Sequence, residues 1–455
     1  MYGASGGLQS TGAQQLNQGD AGGAPAKNEH FGRALAAGDF NADGRVDLAV
    51  GTPGERHGFD KNVGVVNIFY GSPTGLKSAG AQQFSQHELN GAQEAGDQFG
   101  SELAAGDFDG DHRADLAVSA PFEDVPLSSG GPAIQDVGNV TVIYGTPNGL
   151  RSAGSQILRK KPTGTEINDA GGHFGDALAA GDFNGDGRAS LAVGVPDDFG
   201  TPANESDFKT PRGAGLVVVF DGAITGLATR KGVHYLRQNF GGSRPEEDDS
   251  FGSALATGDF NADGRADLAA AALGEDKTAG SVAVIRGSKT GLLITYCYFD
   301  ETAFGAASTP GDRFGFSLAA GNFDHTGGTD LAVGVPQHDL PGADRAGVVA
   351  IFRGSAAKLL DRQHGEMLTQ ADGGGLVEAN DQFGSSLSAG AFNRARGVDL
   401  VVGTPLEAVN PGPVLFAGVV NVLYGSGSSF TGKQFNQQAA GGPVEEGDDF
   451  GDALP

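Results

Sequence analysis

Phe31 to Pro53 reads FGRALAAGDFNADGRVDLAVGTP, and this stretch decides the fold because the chain repeats it. A second copy, FGSELAAGDFDGDHRADLAVSAP, runs from Phe99 to Pro121. The opening Phe-Gly pair recurs at Phe31, Phe99, Phe174, Phe251, Phe314, Phe383 and Phe450, at intervals of 68, 75, 77, 63, 69 and 67 residues, and six of these blocks are complete. Self-similarity of this kind marks a repeat architecture and outranks a domain count taken from length alone.

Each block reads as short strands. In the first they are Leu35 to Phe40, Asp47 to Val50, Val63 to Tyr70 with apolar alternation, and a shorter fourth around Gln82 to Phe84. No window carries a sustained helical period, and 78 Gly among 455 residues are too many for long helices. The class is therefore all-β. Four strands per repeat predict a β-propeller of four-stranded blades, whereas a parallel β-helix has rungs of about 20 residues and glycine-rich nonapeptides that this chain lacks. The small side chains of LAAGDF place that strand innermost, and the Phe-Gly pair is expected to wedge between neighbouring blades. Residues Tyr2 to Leu8 (YGASGGL) match Tyr70 to Leu76 (YGSPTGL), and the chain stops at Phe450 to Pro455, just inside a further block. The expectation is one propeller domain over residues 1–455 with six complete repeats and an incomplete seventh from residues 2–30 and 450–455, seven-bladed or else closing with six blades.

Composition removes several function classes. Thirty Lys plus Arg against 56 Asp plus Glu leave a net charge of −26, which excludes a nucleic-acid binder working through a basic face and disfavours an anionic membrane surface. Cys297 stands alone, so no intramolecular disulfide forms. No stretch approaches the ~20 apolar residues of a membrane span. Neither a basic region nor an apolar core follows Met1, so no signal peptide is expected in the sequence as written.

Chemistry concentrates in a run of oxygen-bearing side chains at alternate positions. Asp39, Asn41 and Asp43 precede Gly44, and Asp47 closes the run. Hard cations such as Ca²⁺ take six to eight oxygens, and D-x-[DN]-x-D-G-x-x-D supplies them from one short loop. Positions one, three, five and nine would give side-chain oxygens, and position seven, here Arg45, its carbonyl. Asp107, Asp109, Asp111, Arg113 and Asp115 form a second complete set, with His112 at the bend; Asp259, Asn261, Asp263, Arg265 and Asp267 form another. Asp182, Asn184, Asp186 and Arg188 are followed by Ser190 at the ninth position, a weaker site, and Asn322, Asp324, Thr326 and Asp330 make a poor one. Ala391, Asn393, Ala395 and Asp399 predict no ion in the sixth block. Three strong Ca²⁺ sites and up to two weaker ones are thus expected. The bland reading of the weaker copies is a solvated turn.

These residues resemble the FG-GAP repeats of the integrin α-subunit propeller and of related bacterial secreted or surface proteins. The resemblance rests on the Phe-Gly pair, the AAGDFNADGRVDL loop and the ends Gly51-Thr52-Pro53, Ser119-Ala120-Pro121, Gly194-Val195-Pro196, Gly334-Val335-Pro336 and Gly403-Thr404-Pro405; the fourth block departs with Ala271-Ala272-Leu273. It implies a seven-bladed propeller with Ca²⁺ in some loops between first and second strands, and extracellular or cell-surface adhesion or recognition.

A catalytic centre is not evident. His57, His87, His173 and His338 fall in predicted loops and are read as solvated, and no G-x-S-x-G of convincing context, H-E-x-x-H or P-loop occurs. The absence of Trp weakens a lectin reading. In an up-and-down blade the loops between second and third strands leave the face opposite the calcium loops. They vary most between copies: Gly54 to Asn62, Phe122 to Val137, Asp197 to Arg212, Gln337 to Arg345 and Leu406 to Phe416. Irregular loops on a rigid scaffold suit recognition of a protein or glycan, with Ca²⁺ structural. The expectation is a non-enzymatic binding propeller without nucleic-acid binding or membrane insertion; the alternatives are a carbohydrate-binding or carbohydrate-active propeller, or a rigid spacer within a larger secreted protein.

Overall fold

The computed structural model describes the chain apart from residues 5, 11, 57–59, 90, 92, 127–132, 161–169, 199–210, 239–244, 306–307, 357, 394–396, 409–416, 428, 442–443, 445–449, 453 and 455. The fold is all-β, a β-propeller of four-stranded antiparallel blades whose strands follow chain order. Blade one comprises Leu35–Gly38, Asp47–Thr52, Val65–Tyr70 and Lys77–Phe84. Blade two comprises Leu103–Gly106, Asp115–Ala120, Asn139–Thr146 and Gly149–Leu158. Blade three holds Leu178–Gly181, Ser190–Val195, Leu216–Phe220 and Val233–Leu236, and blade four Phe251–Gly258, Asp267–Ala272, Ser281–Ser288 and Gly291–Phe299. Blade five has Leu318–Gly321, Asp330–Val335, Val348–Ser355 and Leu359–Leu368, and blade six Ser386–Gly390, Asp399–Thr404, Val419–Gly425 and Phe430–Phe435.

Six such sheets are present among the described residues, and a seventh four-stranded sheet is not among them. Tyr2–Ala4 and Gly7–Gln9 form only a two-stranded hairpin. It sits on blade six, where Leu8 N–H donates to the Tyr424 hydroxyl at 2.8 Å. The same bond joins consecutive complete blades: Leu150 N–H donates to Tyr70 and Leu227 N–H to Tyr144, at 3.0 and 3.2 Å. The hairpin therefore stands in the place of a following blade's outer strands.

The chain divides into two compact units, one of Leu16–Asp182 and Asp186–Leu255, the other of Met1–Gln15, Phe183–Gly185 and Ala256–Leu454. Inside each, one device joins blade to blade. Phe99, Phe174 and Phe251 donate their N–H to Val63, Val137 and Ala214 of the preceding blade at 3.0, 2.9 and 3.1 Å. Phe314, Phe383 and Phe450 do the same to Ala279, Ala346 and Ala417 at 2.7, 2.9 and 3.1 Å. The ring meanwhile packs edge-on against its own blade, as Phe174 does on Phe220 with centroids 6.1 Å apart. A Cβ on Gly51 would overlap the Gly100 carbonyl oxygen of the next blade, which accounts for glycine at the start of the Gly-Thr-Pro end. The expected wedge is thus a backbone staple plus an aromatic anchor.

First strands of adjacent blades approach closely: a Cβ on Gly38 would lie 2.7 Å from that of Ala114 and 3.3 Å from that of Ala105. Second and third strands are buried along their length, and Phe40, Phe108, Phe183, Phe260 and Phe323 are at most 1% exposed. Each such ring contributes roughly 1.5–3 kcal/mol relative to an exposed one.

Candidate functional site: the acidic loops

The acidic runs fold as predicted between first and second strands, and backbone N–H groups organise them. In blade one the Asp39 carboxylate accepts from Asp43 N–H at 3.1 Å and Gly44 N–H at 2.8 Å, while Asn41 Oδ1 accepts from Asp43 N–H at 2.9 Å. Blade two copies this: Asp107 accepts from Gly110, Asp111 and His112 at 2.7, 3.0 and 2.8 Å, and Asp109 from Asp111 at 3.1 Å. In blade three Asp182 accepts from Asp186 and Gly187 at 3.2 and 2.9 Å, and in blade four Asp259 accepts from Asp263 and Gly264 at 2.9 and 2.8 Å. Each Asp at position one thereby curls the chain around itself.

Position nine has a second role that the sequence reading did not assign. Asp47, fully buried, accepts from Phe40 N–H at 2.9 Å and from Gly71 N–H at 2.7 Å, tying the loop to the end of the third strand. Asp115, Asp267, Asp330 and Asp399 repeat both bonds in their blades. Asp399 does so where Ala391 has removed the first acid, so these bonds do not depend on a complete acidic loop. Ser190 keeps one of the two, accepting from Gly222 N–H at 3.3 Å. Burial pushes the Asp115 carboxyl up to about 7 and that of Asp267 to about 6, against the backbone bonds that favour the charged form.

The arginines at position seven, expected to offer carbonyls, donate their N–H groups to position five: Arg45 to Asp43, Arg113 to Asp111, Arg188 to Asp186 and Arg265 to Asp263, at 3.0 to 3.2 Å. Their guanidinium groups pair with the same carboxylates.

Three of the side chains converge well enough to hold an ion. Carboxylate oxygens of Asp107, Asp109 and Asp115 lie within 4.8 Å of one another. Hard oxygen donors from one short loop fit Ca²⁺ or Mg²⁺. Buried Asn261 Oδ1 in blade four and Asn322 Oδ1 in blade five have no hydrogen-bond partner, although Asn261 Nδ2 donates to both Asp267 oxygens, at 3.1 and 2.9 Å. Unsatisfied buried acceptors beside carboxylates are oxygens that a hard cation could take as ligands, although in blade five an arginine reaches the same loop.

Two further residues shape the loops. The residue before the third-strand glycine is Tyr70, Tyr144 and Tyr424 in blades one, two and six, but Arg286 and Arg353 in blades four and five. Arg286 reaches Asp263 at 2.7 Å. Slight burial favours the neutral form of Asp263, but Arg286 and Arg265 outweigh it and hold the carboxyl below its usual range. Arg353 reaches Asp330 at 3.2 Å and also pairs with Glu366. Asp324 accepts from Thr326 N–H and hydroxyl at 2.8 and 2.9 Å instead of facing a third acid. A lone arginine at a strand end carries no motif signal; only its alignment across repeats could have exposed it.

Two of the histidines depart from the solvated-loop expectation, while His87 is exposed as expected. His173 pairs with Asp197 at 2.7 Å, and His338 lies 3.1 Å from Glu301 and 2.9 Å from Asp312 with its side chain 15% exposed. His87 opens a short 3₁₀ turn. His57, Ala395 and most of the Asp197–Arg212 and Leu406–Phe416 loops lie outside the described residues.

The FG-GAP repeat model matches residues 31–68, 99–143, 174–220 and 251–285, from the Phe-Gly pair through the third strand of blades one to four. These four stretches are FG-GAP repeats. The FG-GAP match stops where the acidic loops decay, at Asn322 with Thr326 and at Ala391. The chain is similar to mouse phosphatidylinositol-glycan-specific phospholipase D, 34% identical over 166 residues that cover 36% of the chain and 18% of that protein. It is also similar to human integrin alpha-IIb, 38% identical over 173 residues (36% of the chain, 15% of that protein), and to Drosophila melanogaster integrin alpha-PS2, 30% over 260 residues (55% and 16%). The chain spans no more than a fifth of the length of these relatives. Among the described residues no helix is long and apolar enough to cross a membrane.

Proposed function

We propose that the chain is a single, non-catalytic, calcium-binding propeller domain that recognises a protein or glycan outside the cell or at its surface. The convergence of Asp107, Asp109 and Asp115 carries the calcium reading. Blade one carries the corresponding set with Asn41 in place of Asp109, and like blade two it has a tyrosine rather than an arginine at the third-strand end, so blades one and two bind most tightly. Asp39, Asn41, Asp43 and Asp47, and Asp107, Asp109, Asp111 and Asp115, would hold the ions, with the Arg45 and Arg113 carbonyls at position seven. Blade four binds more weakly, because Arg265 and Arg286 already neutralise Asp263. Blade three lacks the ninth carboxylate, and in blade five Arg353 takes the cation's place.

Recognition falls to the loops between second and third strands, at the far end of each blade from the acidic loops. Similarity to integrin α subunits supports adhesion, and similarity to part of a phosphatidylinositol-glycan-specific phospholipase D supports a second reading as a module carried beside another domain. Equilibrium dialysis against CaCl₂ tests the calcium part: Asp109→Asn should remove one tight equivalent, and unchanged stoichiometry and affinity would refute it. Glycan and extracellular-protein arrays test recognition. Replacing Asp197–Arg212 by a short turn should abolish a hit without lowering the Tm, and an unaffected hit would exclude that loop.

A further inference from the structure

The opposite ends of the blades carry their own recurring cluster, built from three aligned positions. One lies two residues beyond the fourth strand, one two residues before the next Phe-Gly pair, and one two residues beyond the proline that follows the second strand. These positions hold Gln86, Asp97 and Glu123 after blade one, and Gln370, Asp381 and Glu407 after blade five. Second strands are six residues long, so this cluster stands about 20 Å from the acidic loop of its blade.

All six side chains are at most 7% exposed. Gln370 Nε2 donates to Glu407 Oε2 at 2.7 Å, and Gln86 Nε2 to Glu123 Oε2 at 2.5 Å. In both clusters the oxygen of the same amide, Gln370 Oε1 or Gln86 Oε1, is buried without a partner, as is Glu123 Oε1. A third carboxylate joins the later cluster: oxygens of Glu378, Asp381 and Glu407 lie within 4.8 Å of one another, and Glu378 is open to solvent.

Buried negative charge requires a positive partner or a proton. Where this position is acidic elsewhere, the chain supplies the cation itself. Lys160 and Arg237 pair with buried Asp198, and His338 sits between Glu301 and Asp312. Arg159 acts on Glu123. The groups that act on Asp381 and Glu407 are Gln370, Glu378 and each other, with no basic side chain among them.

We propose that Glu378, Asp381, Glu407 and the Gln370 carbonyl oxygen form a site for a hard divalent cation, Ca²⁺ or Mg²⁺, distinct from the acidic loops and on the recognition face. An all-oxygen set with three carboxylates suits these ions rather than Zn²⁺ or copper. The exposed Glu378 gives the ion a way in, and turning the Gln370 amide over directs its orphan oxygen to the ion.

Equilibrium dialysis and calorimetry with CaCl₂ or MgCl₂ on the full chain at pH 6.5 test the site. Asp381→Asn with Glu407→Gln should lose one equivalent of bound cation. Asp109→Asn and Asp43→Asn should leave that equivalent intact, so failure of the loop sites and failure of this one are separable. Glu378→Gln alters only the exposed ligand, and should weaken the equivalent at least about fivefold without moving the Tm in chelator. Unchanged stoichiometry and affinity in both the double variant and Glu378→Gln would overturn the proposal.

Discussion

Blades two and five lay out the same backbone around different charge. In both, the ninth-position Asp accepts N–H groups from the loop phenylalanine and the third-strand glycine, so strand ends and loop are locked identically. In blade two three carboxylates converge with Tyr144 at the strand end, whereas in blade five Arg353 reaches Asp330 and Thr326 has replaced an acid. The comparison separates two functions that the motif merges: position nine builds the loop in both blades, and only in blade two does it also converge with acids at positions one and three into a set that could hold a cation.

The largest effect is expected where the blades agree. Asp115→Ala and Asp330→Ala each strand two buried N–H groups, and each should cost about 3 kcal/mol or more in chemical denaturation, with or without Ca²⁺. A small cost in either would mean that the carboxylate acts only as a ligand. Next comes Arg353→Met, which leaves Asp330 buried without its guanidinium and should destabilise by roughly 3 kcal/mol in chelator. Arg286→Tyr, which gives blade four the residue of blade two, should tighten its Ca²⁺ affinity in calorimetry; unchanged affinity would show that the arginine does not compete.

A smaller effect concerns pH. Burial lifts the Asp97 and Glu123 carboxyls to about 7 and about 8, above ordinary carboxylate values. The folded chain then binds more protons than the unfolded one, so their contribution is fully present below about pH 4 and is lost as pH rises through 7 to 8. Metal-free protein should therefore lose Tm between pH 5 and 8 from this pair, and Glu123→Gln should flatten the slope. A slope unchanged by Glu123→Gln would remove the pair as its cause.

Much of this was legible in the repeat. Block recurrence, the alternation of Val63 to Tyr70 and the Phe-Gly pairs carry the fold because burial and close backbone approach leave strong residue preferences. The fourth strand was underread: it starts at Lys77, and its register with the third shifts between Ile68 and Tyr70. Lys77 to Gln83 lie on an outer edge, mostly polar and exposed, where no apolar period is imposed. The acidic positions were visible because oxygen ligands must come from particular residues. Arg286, Arg353 and the junction carboxylates were not, since each becomes meaningful only beside residues 13 to 37 positions away that the fold brings to it.

The central claim is that cations complete the loops of blades one and two and stabilise the fold. The direct test is the Tm of chelator-stripped protein as Ca²⁺ is raised from micromolar to ~10 mM, for the parent and for Asp43→Ala with Asp109→Ala. The account predicts a saturable rise in the parent, stronger than with Mg²⁺ and largely lost in the double variant. A flat response in the parent, or an equal rise in both proteins, would contradict it.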